Sequence, residues 1–74
     1  MVDYTLSYNR KQKDNVGEDY FYEVKADTLE GAIIEIKDNF LPKVMFDKSN
    51  GDIWSAKIIS PGEKFIMKKG SLII

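Results

Sequence analysis

Over residues 4–8, and again over residues 20–26 apart from Phe21, the apolar side chains fall on alternate positions; beyond Asp27 their spacing changes to three and four. That change of period limits the fold more than any other feature of the chain. Period two marks a strand with one buried face, and a period near 3.6 marks a helix with one apolar stripe. Tyr4, Leu6 and Tyr8 share one parity, with Thr5, Ser7 and Asn9 on the other. In the second run Tyr20, Tyr22, Val24 and Ala26 oppose Phe21, Glu23 and Lys25. The polar residues 11–18 between them read as a loop, so the two strands form an antiparallel hairpin with its tyrosines toward the core.

The helix signal follows directly. Asp27 stands where an N-cap acceptor is needed, and Glu30 three residues on completes a capping box. Leu29, Ala32, Ile33, Ile36 and Phe40 then form one stripe. Pro42 is expected to end the helix, because the residue before a proline is pushed out of the helical region. Residues 44–48, 53–59 and 64–69 read as three further strands, the last two joined by a type II turn at Ser60, Pro61, Gly62 and Glu63. Gly70 bends or breaks the last strand before an apolar tail. The expected fold is one α+β domain over residues 1–74, ordered β-β-α-β-β-β, with a mostly antiparallel sheet and one helix packed on one face.

The acidic stretch from Asp47 to Asp52, followed by the single tryptophan, asks whether the chain holds a metal. An EF-hand loop needs oxygen ligands at positions 1, 3 and 5, glycine at 6 and glutamate at 12. Counting from Asp47, position 5 is Gly51, position 6 is Asp52 and position 12 is Ile58, so the pattern fails. A three-residue turn at Ser49, Asn50 and Gly51 fits better. It sets Phe46 against Trp54 across a hairpin and puts the large apolar groups on one face, with Gly51 supplying the left-handed residue. On this reading Trp54 closes the core beneath the helix.

At 74 residues the chain buries only about 60% of the surface its unfolded form exposes, so its stability is modest or borrowed from a partner. It has no cysteine and no histidine, which removes disulfides, thiolate zinc sites, thiol nucleophiles and the commonest general base. No catalytic set is visible among its serines, lysines and acids, and no cofactor is expected. A net charge of −1 with both signs interspersed is unlike a dedicated phosphate-backbone binder. No apolar run approaches a membrane span and the first residues do not resemble a signal peptide, so the expected location is cytoplasmic.

Two groups of side chains stand out as binding candidates. Phe21, Ile59 and Ile66 have the parity opposite to the core residues, and Ile34 lies off the helical stripe. Apolar groups on the sheet face away from the helix suggest a protein partner or a homodimer. The alternative is a nucleic-acid surface built from Arg10, Lys11, Lys13, Lys57 and Lys68, with Phe21 stacking on a base.

Residues 24–36, which contain A-D-T-L-E-G-A-I-I-E-I, resemble the start of HicB-like antitoxins, where a short strand runs into a T-L-E-E-A helix. The proline- and glycine-rich stretch that precedes that helix in the family is absent. Small, cofactor-free, single-domain chains are common among phage and mobile-element products, many of which bind and inhibit a host protein. The expected function is therefore non-enzymatic protein interaction, in the form of an inhibitor of a host defence or nucleic-acid enzyme.

Overall fold

The computed structural model describes residues 1–12, 14–45 and 51–73. Strands β1 (Val2–Gln12) and β2 (Asn15–Ala26) pair as an antiparallel hairpin in which Tyr4 faces Val24, Leu6 faces Tyr22 and Tyr8 faces Tyr20. A helix follows in three segments: α1 (Leu29–Glu35), a π-helical turn (Ile36–Phe40) and α2 (Leu41–Met45). The chain returns through β3 (Asp52–Ser60), β4 (Lys64–Lys68) and β5 (Ser71–Leu72). The strands form one antiparallel sheet ordered β2-β1-β3-β4-β5. This is the expected α+β architecture with the helix on one face.

The hairpin is longer than its polar residues suggested. Lys11 and Gln12 extend β1 past the core, and Gln12 pairs with Asn15. A bulge between Asn9 and Lys11 takes up one extra residue of β2. Gly17 suits it, because a Cβ there would lie 2.9 Å from the Arg10 carbonyl oxygen. The Asn9 side-chain amide ties the bulge by donating to the Gly17 carbonyl at 2.6 Å and to Asp19 Oδ1 at 2.9 Å.

The helix starts one residue later than its acidic cap implied. Thr28, not Asp27, is the N-cap; it is extended, and its Oγ1 accepts from the Gly31 N–H at 3.1 Å. Pro42 does not end the helix. Leu41 before it keeps helical angles, and its N–H reaches back five residues to the Ile36 carbonyl. Proline has no N–H and its ring crowds the carbonyl four residues earlier, so a widened turn just ahead of it relieves both problems. The same turn rephases the apolar stripe and lets consecutive Phe40 and Leu41 both be buried.

The strand expected over residues 44–48 is not formed at its start, since Val44 and Met45 belong to α2; Phe46 and the rest of that segment lie outside the described residues. Gly51 does have the expected left-handed backbone, φ +83°. Its setting is a close pass over β1, where a Cβ would stand 2.5 Å from the Lys11 carbonyl oxygen.

At the β3–β4 link Gly62 lacks a positive φ, so the turn is not type II, and the Ser60–Pro61 peptide is cis. Lys69 (φ 50°) and Gly70 (φ 83°) make a two-residue turn of the kind favoured in hairpins and fold residues 71–72 back as β5.

The core lies between the sheet and the helix. Leu6, Ala32, Ile36, Ile58 and Ile66 are fully buried, with Tyr4, Val24, Phe40, Leu41, Ile53, Ala56 and Met67 around them. Phe40 anchors the helix on the hairpin, stacking on Tyr22 with ring centroids 4.1 Å apart and meeting Tyr8 edge-on at 5.1 Å.

Candidate functional site

In a pleated sheet, cross-strand partners share a face. Leu6 is buried beneath the helix, so Ser7 points away from it, and Ser7 pairs with Phe21 on one side and Lys57 on the other. Lys57 in turn pairs with Phe65. One row thus crosses the outer face from β2 to β4: Phe21, Ser7, Lys57, Phe65. Phe21 is 64% exposed.

Bulges decide which other groups join this row. Asn9 pairs with Ser55 and Arg10 with Ile53, which leaves Trp54 as an extra residue of β3. Ile53 is buried, while Trp54 is only half-buried and lies outside the core. Lys11, next along β1 from the buried Arg10, holds its ammonium 5.0 Å from the Trp54 ring centroid. The expectation that Trp54 closes the core is therefore corrected: it sits with Lys11 on the outer face. A second shift, between Thr5 and Leu6, makes Ile59 the extra residue there, 38% exposed beside fully buried Ile58.

Ile66 requires the opposite correction. Ala56 pairs with Met67 and Lys57 with Phe65, so Ile66 is the bulged residue of β4. Its side chain turns inward with Met67 and is fully buried. It belongs to the core and not to an exposed patch. Ile34 is 59% exposed, but it lies on α1, across the sheet from Phe21 and Ile59. The proposed apolar quartet therefore resolves into two outer-face residues, one helix-surface residue and one core residue.

The basic set also divides. Arg10 is 5% exposed, and its guanidinium donates to the Gly51 carbonyl at 2.6 Å and to the Val44 carbonyl at 3.3 Å. It shares the inward parity of Tyr4, Leu6 and Tyr8, a signal that the basic run around it obscured. There it satisfies a carbonyl at the end of α2, where a positive charge also suits the helix dipole. Arg10 is a fastening between helix and sheet and is withdrawn from the surface. Lys13 lies outside the described residues.

Lys57 and Lys68 do lie on the outer face, both over the Phe65 ring, at 5.2 Å and 4.3 Å from its centroid; Lys57 also pairs with Glu63 at 3.6 Å. Phe65 was not legible as a surface residue, because the bulge beside it cannot be read from local alternation.

A shallow cleft of about 190 Å³ is lined by Asp52, Ile53, Met67 and Gly70 among the described residues. It is smaller than the roughly 300 Å³ at which small-molecule sites begin. The residues of the acidic loop from Asp47 to Asn50 lie outside the described residues, and elsewhere no three acidic side chains gather. No helix among the described residues is long and apolar enough to cross a membrane. The local likeness to HicB-like antitoxins corresponds here to the end of β2 at Ala26 and the Thr28-capped start of α1. Compared as a whole with known protein families, curated proteins and solved structures, the chain matches none.

Proposed function

We propose that the chain is a non-enzymatic interaction module that binds a protein partner through the outer face of its sheet. The observation carrying this reading is the joint placement of Phe21, Trp54, Ile59 and Phe65 with Lys11, Lys57 and Lys68 on the face that the helix does not cover. Aromatic and aliphatic groups within a charged setting have the composition of an interface. Such a module acts by occupancy, and inhibition of a host defence or nucleic-acid enzyme by direct binding is its proposed form, suggested by the size class of the chain.

The same gathering of lysines and aromatics favours a second reading, a single-stranded nucleic-acid surface. It is the weaker of the two. Base stacking needs open ring faces, and although Phe21 is 64% exposed, Phe65 and Trp54 already carry lysine ammoniums over their rings.

The test is affinity capture with the native chain and with Ile59→Ser/Phe65→Ser, followed by direct titration of whatever is retained. The protein reading requires a partner protein lost by the double variant and held with little salt dependence. A partner that is nucleic acid, released steeply by added salt, replaces it with the second reading. Capture unchanged by the double variant removes the outer face from both.

A further inference from the structure

The sheet's two edges are unequal. At one end β5 contributes two residues, while at the other β2 presents one side of a twelve-residue strand that pairs with no further strand among the described residues. A long open edge is a template for another strand, and natural proteins commonly block it with proline, lysine or a bulge. Here the bulge lies at the far end, near Gly17, no proline occurs in the strand, and its one lysine, Lys25, stands next to the other end. Tyr20 and Phe21, at its middle, are 42% and 64% exposed.

The charges on this edge select a partner strand: its own copy. Two β2 strands related by a two-fold axis run antiparallel, and cross-strand partners must share a face for the two sheets to be continuous. Centring the pair on Phe21 sets Asp19 opposite Glu23 of the second copy, acid against acid. Centring it on Glu23 sets that residue against itself. Centring it on Val24 or on Tyr20 leaves a ladder of only five residues, 22–26 or 18–22, since β2 ends at Ala26 and is bulged near Gly17.

Centring it on Tyr22 behaves differently. Asp19 then faces Lys25 of the second copy, Lys25 faces Asp19 of the second copy, and Tyr20 faces Val24 of the second copy. Phe21 faces Glu23 across the join and lies diagonal to Phe21 of the second copy, within aromatic reach at about 7–8 Å. The ladder spans residues 18–26, beyond the bulge.

We propose that two copies of the chain join edge to edge through β2, antiparallel and centred on Tyr22, making one sheet across both, with Asp19 and Lys25 paired reciprocally and the two Phe21 rings covering each other. This association takes Phe21 from the outer-face row but leaves Trp54, Ile59 and Phe65 uncovered, and the variants that test it, at Asp19 and Lys25, change none of the residues on which the binding reading above rests. It also supplies burial that a chain of this length lacks alone.

The reciprocal pairing permits a charge-exchange experiment read by sedimentation equilibrium, with circular dichroism confirming the fold of each variant. The native chain is expected to dimerise with concentration. Asp19→Lys alone and Lys25→Asp alone each set like charges opposite one another twice, and each should weaken dimerisation at least tenfold. Mixing those two variants restores both pairs between unlike chains and should return association to the native level, as should the double variant Asp19→Lys/Lys25→Asp. Asp19→Lys also removes an acceptor of the Asn9 amide, but Lys25→Asp does not, so a fold defect in the first cannot mimic the whole pattern. A native chain that remains monomeric at millimolar concentration overturns the proposal. So do folded single variants that fail to associate when mixed.

Discussion

Tyr22 on β2 and Phe40 in the π-helical turn stack with their planes 16° from parallel. This contact joins the hairpin to the helix that follows it, and Tyr8 closes on the same ring from the side. Phe40→Ala removes the shared partner of both tyrosines and leaves a cavity. It should cost about 3–5 kcal/mol, most of what so small a domain has. Urea denaturation measures it; a midpoint unchanged from the native chain would mean that the helix is anchored elsewhere.

Arg10→Met keeps the aliphatic stem but leaves the Gly51 and Val44 carbonyls without their cationic donor. A loss of about 1.5–3 kcal/mol is expected. Arg10→Lys should recover only part of it, because one ammonium does not reproduce the forked geometry of a guanidinium. If Arg10→Met instead left thermal stability intact and lowered affinity for an oligonucleotide, Arg10 would be a surface contact.

Trp54→Ala should be milder than Phe40→Ala, at about 1–2 kcal/mol, since the side chain is half-buried and its identified ring contact is with Lys11. Denaturation of the two variants side by side ranks them. A larger loss for Trp54→Ala would return it to the core.

Glycine substitutions should separate two positions that look alike in sequence. Gly51→Ala meets both an unfavourable positive φ and the Lys11 carbonyl oxygen, and should destabilise by about 2 kcal/mol or more. Gly62→Ala has open space around it and should stay within about 0.5 kcal/mol of the native value. Equal thermal shifts for the two would contradict this difference.

Lys69→Asn should raise stability by about 0.5–1 kcal/mol. Asparagine followed by glycine is the preferred pair for a turn with two positive φ values, and Lys69 holds one of them at 50°. Calorimetry should show a higher melting temperature; a lower one would mean that the lysine side chain contributes more than its strained backbone costs.

The sequence alone determined the elements whose cause is local. Alternation in β1 and β2 placed Tyr4, Leu6, Tyr8, Tyr22 and Val24 toward the helix, and the stripe from Leu29 to Phe40 placed the helix itself. Gly51 signalled its left-handed backbone in the same way. Tertiary structure decided the strand order, the path of the chain through Pro42, and the side taken by Trp54, Ile59, Phe65 and Ile66. The reason lies in the bulges. Each inserts one residue into one strand only, and every parity argument beyond it changes sign. Where a bulge falls depends on how distant strands pair, so Ile66 became core and Trp54 surface through contacts that no local period records. Arg10 shows the same limit: its parity pointed inward, but the carbonyls that make a buried guanidinium tolerable come from Val44 and Gly51, far along the chain.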